Sequence, residues 1–280
     1  MNHAIYPCVW MNGTAAAAAA QYTRIFRGSR VLDDTPQMVT FELMGQKIAA
    51  LNGGPRFEIN PAISLFVTCR STAETDRLWH ALVENGSVLM PIDKYDWSER
   101  YGWLKDAFGL TWQINFDPEA PHDTLRPCLL FTAQNFGRAR EAITFYTSLF
   151  KPSATGLVAP FPDDTPHAGN LMYAEFSLGR TPFIAMDGPD TPEYTFNEGV
   201  SLVVLCDTQE EIDFYWNALV RGGEPAMCGW LRDALGVWWQ IVPARLVTWL
   251  QDPQRGPAVM QQLLTMRKIE IQKLLQDAGN

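Results

Sequence analysis

The apolar positions of this chain fall into short blocks of two rhythms, strand-like and helix-like. Cys8-Val9-Trp10-Met11 is an unbroken apolar run of strand length. Asn12-Gly13-Thr14 follows and opens an alanine-rich helix over residues 15–26, with Thr14 placed to cap it and Gly28 to end it. Residues 30–33, 39–44 and 47–51 read as strands, the last two joined by a tight turn at Gly45-Gln46. The order then restarts. Ile63–Cys69 is rich in branched and aromatic residues, and Ser71-Thr72 caps a helix to Glu84 with Leu78, Trp79 and Leu82 on its buried face. Three further strands end at Thr111–Phe116. The pattern is β-α-β-β-β, twice.

The whole unit is then repeated. YGWLKDAFGLTWQI at residues 101–114 returns as CGWLRDALGVWWQI at residues 228–241, without a gap. Upstream, Pro7-Cys8 matches Pro127-Cys128, Tyr22 and Phe26 match Tyr146 and Phe150, Ser64-Leu65 matches Ser201-Leu202, and Trp79 matches Trp216. A repeat with the period of a domain is a tandem duplication. It predicts a first domain over residues 1–120, a second over 124–245 and a C-terminal tail over 246–280, with the Pro-bearing linker 117–123 between the domains. In copy two, Asp207-Thr208-Gln209-Glu210 reads as the start of a helix carrying Ile212, Tyr215, Trp216 and Leu219. The copies differ by an insertion around residues 91–96 in the first and one at 161–167 in the second. In the tail, Pro257 starts a helix predicted to run to Ala278, whose partial apolar stripe favours packing on the body or on a second subunit.

Composition narrows the class. The 280 residues are 47% hydrophobic and carry a net charge of −9 with no basic stripe, which disfavours nucleic acid as a partner. The five cysteines lack metal spacing and read as buried reduced thiols. No stretch reads as a signal peptide or membrane span, so a cytoplasmic protein without membrane partners is expected, with a homodimer open to it.

Paired β-α-β-β-β modules resemble the vicinal oxygen chelate superfamily, which includes glyoxalase I, extradiol dioxygenases and fosfomycin-resistance proteins. The segments Gly102 to Ile114 and Gly229 to Pro243 are similar to the terminal motif of its PhnB-like branch, also labelled 3-demethylubiquinone-9 3-methyltransferase-like. The resemblance implies an α+β fold in which four βαβββ modules form two cup-shaped mixed sheets. It also implies a divalent metal held at matching strand positions, which here are near Pro7, Ser64 and Gln113, and near Pro127, Ser201 and Gln240. Proline has no side-chain donor, serine is a weak ligand and glutamine offers a neutral carbonyl, so a metal-free site is expected. No cofactor motif stands in its place. Asn52-Gly53-Gly54 and Arg221-Gly222-Gly223 follow a strand and a helix, the context of turns and caps rather than of a methyl-donor loop.

Strand alternation then selects a lining. It places Gln113, Ser64, Phe66 and Met11 in one cup, and Gln240, Ser201, Phe131 and Trp238 in the other, with Trp112 and Trp239 under the helices. That lining suits a small molecule. The repeated Asp106 and Asp233 precede a turn and read as turn acceptors. None of the four histidines recurs between copies, so no catalytic triad is proposed. Three functions remain open: a PhnB-like protein binding a small molecule in a metal-free apolar cup, a metal-dependent enzyme with relocated ligands, or a structural protein whose cups are filled.

Overall fold

A computed structural model describes residues 5–188 and 194–276. The first module is β1 (Tyr6–Met11), α1 (Ala15–Ile25), β2 (Arg30–Asp34), β3 (Met38–Leu43) and β4 (Gln46–Asn52). The second is β5 (Ile63–Cys69), α2 (Thr72–Val83), β6 (Ser87–Tyr95), β7 (Ser98–Lys105) and β8 (Thr111–Phe116). The third is β9 (Thr124–Phe131), α3 (Ala139–Leu149), β10 (Ser153–Pro160), β11 (Leu171–Leu178) and β12 (Thr181–Asp187). The fourth is β13 (Val200–Cys206), α4 (Gln209–Leu219), β14 (Glu224–Pro225), β15 (Trp230–Arg232) and β16 (Trp238–Pro243). Three short helices close the chain: α5 (Leu246–Gln251), α6 (Gly256–Leu263) and α7 (Ile271–Gln276).

These strands form two eight-stranded mixed sheets, and each sheet takes one module from each copy. One sheet has the order β14-β15-β16-β13-β1-β4-β3-β2, joining the fourth module to the first; the other runs β10-β11-β12-β9-β5-β8-β7-β6, joining the third to the second. The joins are antiparallel, β1 with β13 through Cys8↔Ser201 and β9 with β5 through Cys128↔Ser64. Sheet hydrogen bonds therefore cross between the copies. The two sheets share one apolar core with helices α1 to α4.

Inside that core the repeated aspartate does its structural task twice. Asp106 accepts from the turn amides of Phe108 and Leu110 at 2.8 and 3.1 Å, from the Trp112 indole at 2.7 Å and from the Tyr22 hydroxyl at 2.7 Å. Asp233 accepts the equivalent four bonds from Leu235, Val237, Trp239 and Tyr146. Tyr22 lies on the helix of the first module and Asp106 in the second, so each hub ties the two modules of one copy while the sheets tie the copies together.

Two local expectations are corrected. Thr14 makes no side-chain cap; the first helix is capped by Asn52, whose Oδ1 accepts from Ala15 N at 3.0 Å. Ser71 and Thr208 do cap their helices, and Asp207 N, one residue ahead of the Thr208 cap, donates to the Glu211 carboxylate. The tail is not one helix from Pro257. It breaks between α6 and α7, because Met266 and Arg267 give their carbonyls to Cys228 N and Gly229 N instead of to the next helical turn.

Candidate functional site

The face of each sheet opposite the helices carries a Gln–Ser pair beside a Cys, Gln113 and Ser64 with Cys128 in one sheet and Gln240 and Ser201 with Cys8 in the other. In the second-and-third-module sheet, one cross-strand row reads Trp103, Gln113, Phe66, Arg126 over four neighbouring strands. The corresponding row of the other sheet reads Trp230, Gln240, Val203, Tyr6. Beside each row stands a Ser and a Cys, Ser64 with Cys128 and Ser201 with Cys8.

Gln113 and Ser64 are joined, Nε2 donating to Oγ at 2.8 Å, and so are Gln240 and Ser201, at 2.9 Å. Gln113 Nε2 also reaches Cys128 Sγ at 3.5 Å, and its carbonyl accepts from the Tyr101 hydroxyl at 2.7 Å. Phe66 lies with this group, and Trp238 shares a face with Gln240. Met11 and Phe131 do not join either group. Both are packed in the helix-side core, together with Val9 and Leu129. The parity of β1 and β9 is one residue away from the sequence expectation, so Cys8 and Cys128 face the cups. All but one residue of β1 are fully buried, as are the last five of β9. A strand covered on both faces has no polar alternation to mark its inner side.

The two cups are not covered alike. The first-and-fourth-module cup is covered by the tail. Val259, Leu263, Met266, Ile269 and Leu274 pack on Tyr6, Cys8, Ala49, Val203 and Val242. The tail is held by polar contacts too: Gln209 bonds both Ile269 O and Ile271 N, and Lys268 pairs with Asp213 at 2.5 Å. The short β14–β15 pair leaves room for it, and Gly229 at φ +83° permits the close approach, since a Cβ there would lie 3.0 Å from Ile269.

No described residue of the tail packs in the other cup. Its floor is Phe66, Tyr101, Cys128 and Ile184, with Met90, Tyr95, Trp103, Tyr173 and Met186 half-buried around it. The copy-one insertion lengthens β6 and β7 into a wall, on which Tyr95 stacks on Trp97 with ring centroids 5.0 Å apart, and Trp97 is 56% exposed. Arg126 donates to Glu175 at 2.5 Å and to Thr68 at 2.9 Å, and lies over the Phe66 ring. Burial is the largest influence on Glu175 and raises its pKa, but hydrogen bonds from Tyr173 and Arg126 together outweigh it and hold the carboxyl below its usual range. Burial pushes the Cys128 thiol up to about 12 and Cys8 to about 11, against hydrogen bonds from the neighbouring Gln and Ser. Burial thus keeps both thiols protonated at pH 7, so neither is an activated nucleophile.

Superfamily metal chemistry would fall on Ser64, Gln113, Cys128 and Ile184, or on Ser201, Gln240, Cys8 and Ala49. A hydroxyl, a neutral amide, a single thiol and a hydrocarbon offer at most one strong donor and do not fit a divalent metal. Among the described residues no cluster of three His, Cys, Asp or Glu side chains is placed to hold one. The glycine pairs fit a methyl-donor nucleotide no better. A Cβ on Gly53 would strike the Trp10 ring at 2.1 Å, and one on Gly223 the carbonyl of Arg232 at 2.0 Å, so each serves packing of the chain on itself.

Sequence reasoning missed Arg126, Glu175, Tyr173, Tyr101 and Trp103. Trp103 had a signal, since it recurs as Trp230 in the repeated motif, and strand alternation from Gln113 through its partner strand leads to it. Arg126 and Glu175 have no counterparts in the other copy, so duplication could not reveal them.

Residues 3–115 and 123–242 match the family described as 3-demethylubiquinone-9 3-methyltransferase. Among solved structures, the PhnB protein from Bacillus cereus is 30% identical over 40% of this chain and 98% of its own, with a TM-score of 0.38. Glyoxalase I from Zea mays is 10% identical over 85% of this chain and 93% of its own, with a TM-score of 0.55, a likeness of fold. A glyoxalase-related enzyme from Fulvimarina pelagi is 17% identical over 42% of this chain and 94% of its own, with a TM-score of 0.32. No curated protein sequence matches the chain. No described helix is long and apolar enough to cross a membrane.

Proposed function

The chain belongs to the 3-demethylubiquinone-9 3-methyltransferase family, the PhnB-like branch of the vicinal oxygen chelate superfamily, and from that premise we propose that it binds one small, largely apolar molecule in the cup of its second and third modules. The observation that carries this reading is the contrast between the cups: one is stoppered by the chain's own tail, and the other has an aromatic wall where its twin has the stopper. The structural-protein reading describes the first cup and the ligand-binding reading the second. The family's description names a methyltransferase, and the wider fold hosts metal enzymes, but among the described residues the side chains supply neither a metal donor set nor a cradle for a methyl-donor nucleotide.

A thermal-shift screen of small metabolites on the full chain tests the proposal. A ligand that binds only the folded state at a hundredfold over its Kd stabilises by about 2.7 kcal/mol. Stabilisation by apolar ring- or chain-bearing compounds is expected. Stabilisation by divalent transition metals alone would overturn the reading in favour of relocated metal ligands.

A further inference from the structure

The helix side of the molecule carries an apolar feature in one copy only. Phe214 on α4 is 57% exposed, although the same helix buries Ile212, Tyr215, Trp216 and Leu219. Beside it, an open groove of about 570 Å³ is lined by the half-buried Phe145 of α3 and by α4 residues that include Phe214 and Ala218. The tail bounds this face, since Gln209 and Asp213 of α4 hold Ile269, Ile271 and Lys268.

Phe214 belongs to a stripe. Glu210, Phe214, Asn217 and Arg221 stand at i, i+4, i+7 and i+11, and all four are exposed. At about 100° per residue they lie within roughly 60° of one another around the helix axis. Val220 keeps helical backbone angles beyond the last turn and so carries Arg221 onto the same line. Reversed, the stripe complements itself. Its centre falls between Tyr215 and Trp216. A second α4 laid antiparallel across that centre sets Glu210 opposite the partner's Arg221, and Arg221 opposite the partner's Glu210. Each Phe214 stands about 2 Å from the centre, so the two rings come within about 5 Å of each other along the axis and share the groove with Phe145. An acid and a base equidistant from an apolar middle give the self-match that a two-fold contact needs. Among the described residues, neither Glu210 nor Arg221 forms an ion pair within the chain.

The duplicate helix lacks all of this. On α2 the matching positions, set by Trp79 and Trp216, hold Ala73, Arg77, His80 and Glu84, and Gln21 stands where copy two has Phe145. Arg77 is used internally, by Glu74 at 2.6 Å and by the carbonyl of Ile25 at 3.0 Å. An antiparallel copy of α2 would set Glu84 against the partner's Ala73, with no charge to match.

We infer that the α3–α4 face docks a second copy of this chain, with α4 crossing its counterpart antiparallel about a two-fold axis. Phe214 and Phe145 form the centre, and two Glu210–Arg221 pairs form the rim. The aromatic centre supplies the affinity, while the wet rim charges set the direction of the crossing. Both cups face away from these helices, so the dimer leaves them as they are and stands independently of the ligand reading.

Sedimentation equilibrium of the full chain tests this. A particle of twice the 31.5 kDa of one chain is expected. Phe214→Ser, at an exposed position, is expected to weaken self-association at least tenfold. Glu210→Arg and Arg221→Glu each set like charges together at both rims and are each expected to weaken it at least tenfold. The variant carrying both changes re-forms the pairs in reverse and should return to within about threefold of the unaltered chain. Gln21→Ser, on the α1–α2 face, should leave the dimer unchanged. A monomeric unaltered chain overturns the proposal. So does a dimer that Phe214→Ser leaves intact, or one weakened by each single reversal that the double reversal fails to restore.

Discussion

Replacing Asp106 by Asn separates a structural hub from a catalytic carboxylate. The side chain keeps its shape but loses its charge and turns one acceptor edge into a donor. With its oxygen kept on the amides of Phe108 and Leu110, the new NH2 group faces the Trp112 indole and the Tyr22 hydroxyl. Tyrosine can turn its hydroxyl and accept. Indole cannot, so its N–H is left buried against another donor. An unsatisfied buried donor costs about 1–3 kcal/mol, and the two amide bonds fall from charge-assisted to neutral strength, so a loss of about 3–5 kcal/mol is expected. For a chain this long about 2 °C of Tm follows each kcal/mol, which places the fall at roughly 6–10 °C. Differential scanning calorimetry reads it, beside a Tyr22→Phe control that removes one of the four donors and costs about 1.5–3 kcal/mol. Ligand affinity in the open cup should stay within about twofold, because Asp106 packs on the helix side of the sheet. Wild-type stability in Asp106→Asn, or loss of ligand binding at unchanged Tm, would refute the hub.

Asp233, pushed up to about 6 chiefly by burial against its four hydrogen bonds, is easier to protonate folded than unfolded. Its contribution to stability is fully present below about pH 3.9 and is lost as pH rises through about 6, so the stability of the native chain relative to Asp233→Asn should fall between those limits, as denaturant titrations at both ends would show. Ile269→Ala empties a fully buried contact under the tail and should cost about 2–5 kcal/mol, measured by urea unfolding, without weakening ligand binding in the other cup. Gly53→Ala drives a methyl group into the Trp10 ring and should lower Tm by several degrees, whereas Gly13→Ala, which meets only open space, is limited to the backbone strain of its φ of +77°.

Much of this fold is written in the chain because it is written twice. The repeated motif fixes the turn, the hub aspartate and the terminal strand in both copies, and polar caps such as Ser71 mark helix starts by chemistry that needs no tertiary partner. Strand parity was legible where a polar residue interrupts an apolar strand, as at Ser64, Gln113 and Ser201. It failed on β1 and β9, where both faces are buried and Val9 and Phe131 look no different from their neighbours. The pairing of modules across copies has no local signature, since each module offers the same edge to either partner. The tail's fate was half visible. Its apolar positions announced that it packs, but the break before α7 depends on backbone bonds to Cys228 and Gly229 that only the folded body supplies. Arg126 and Glu175 look like any surface ion pair until β9 and β11 bring them to one face.

The most direct test of one closed cup and one ligand cup uses the two equivalent glutamines separately. Gln113→Leu and Gln240→Leu make the same change at the same step of the two sheets, and isothermal titration with a stabilising ligand from the screen reads affinity and stoichiometry in each. The unchanged chain should bind one ligand. Gln240→Leu should bind it with unaltered affinity, and Gln113→Leu should weaken it at least tenfold. Two ligands per chain, or loss of binding in Gln240→Leu with Gln113→Leu unaffected, would contradict the division of the two cups.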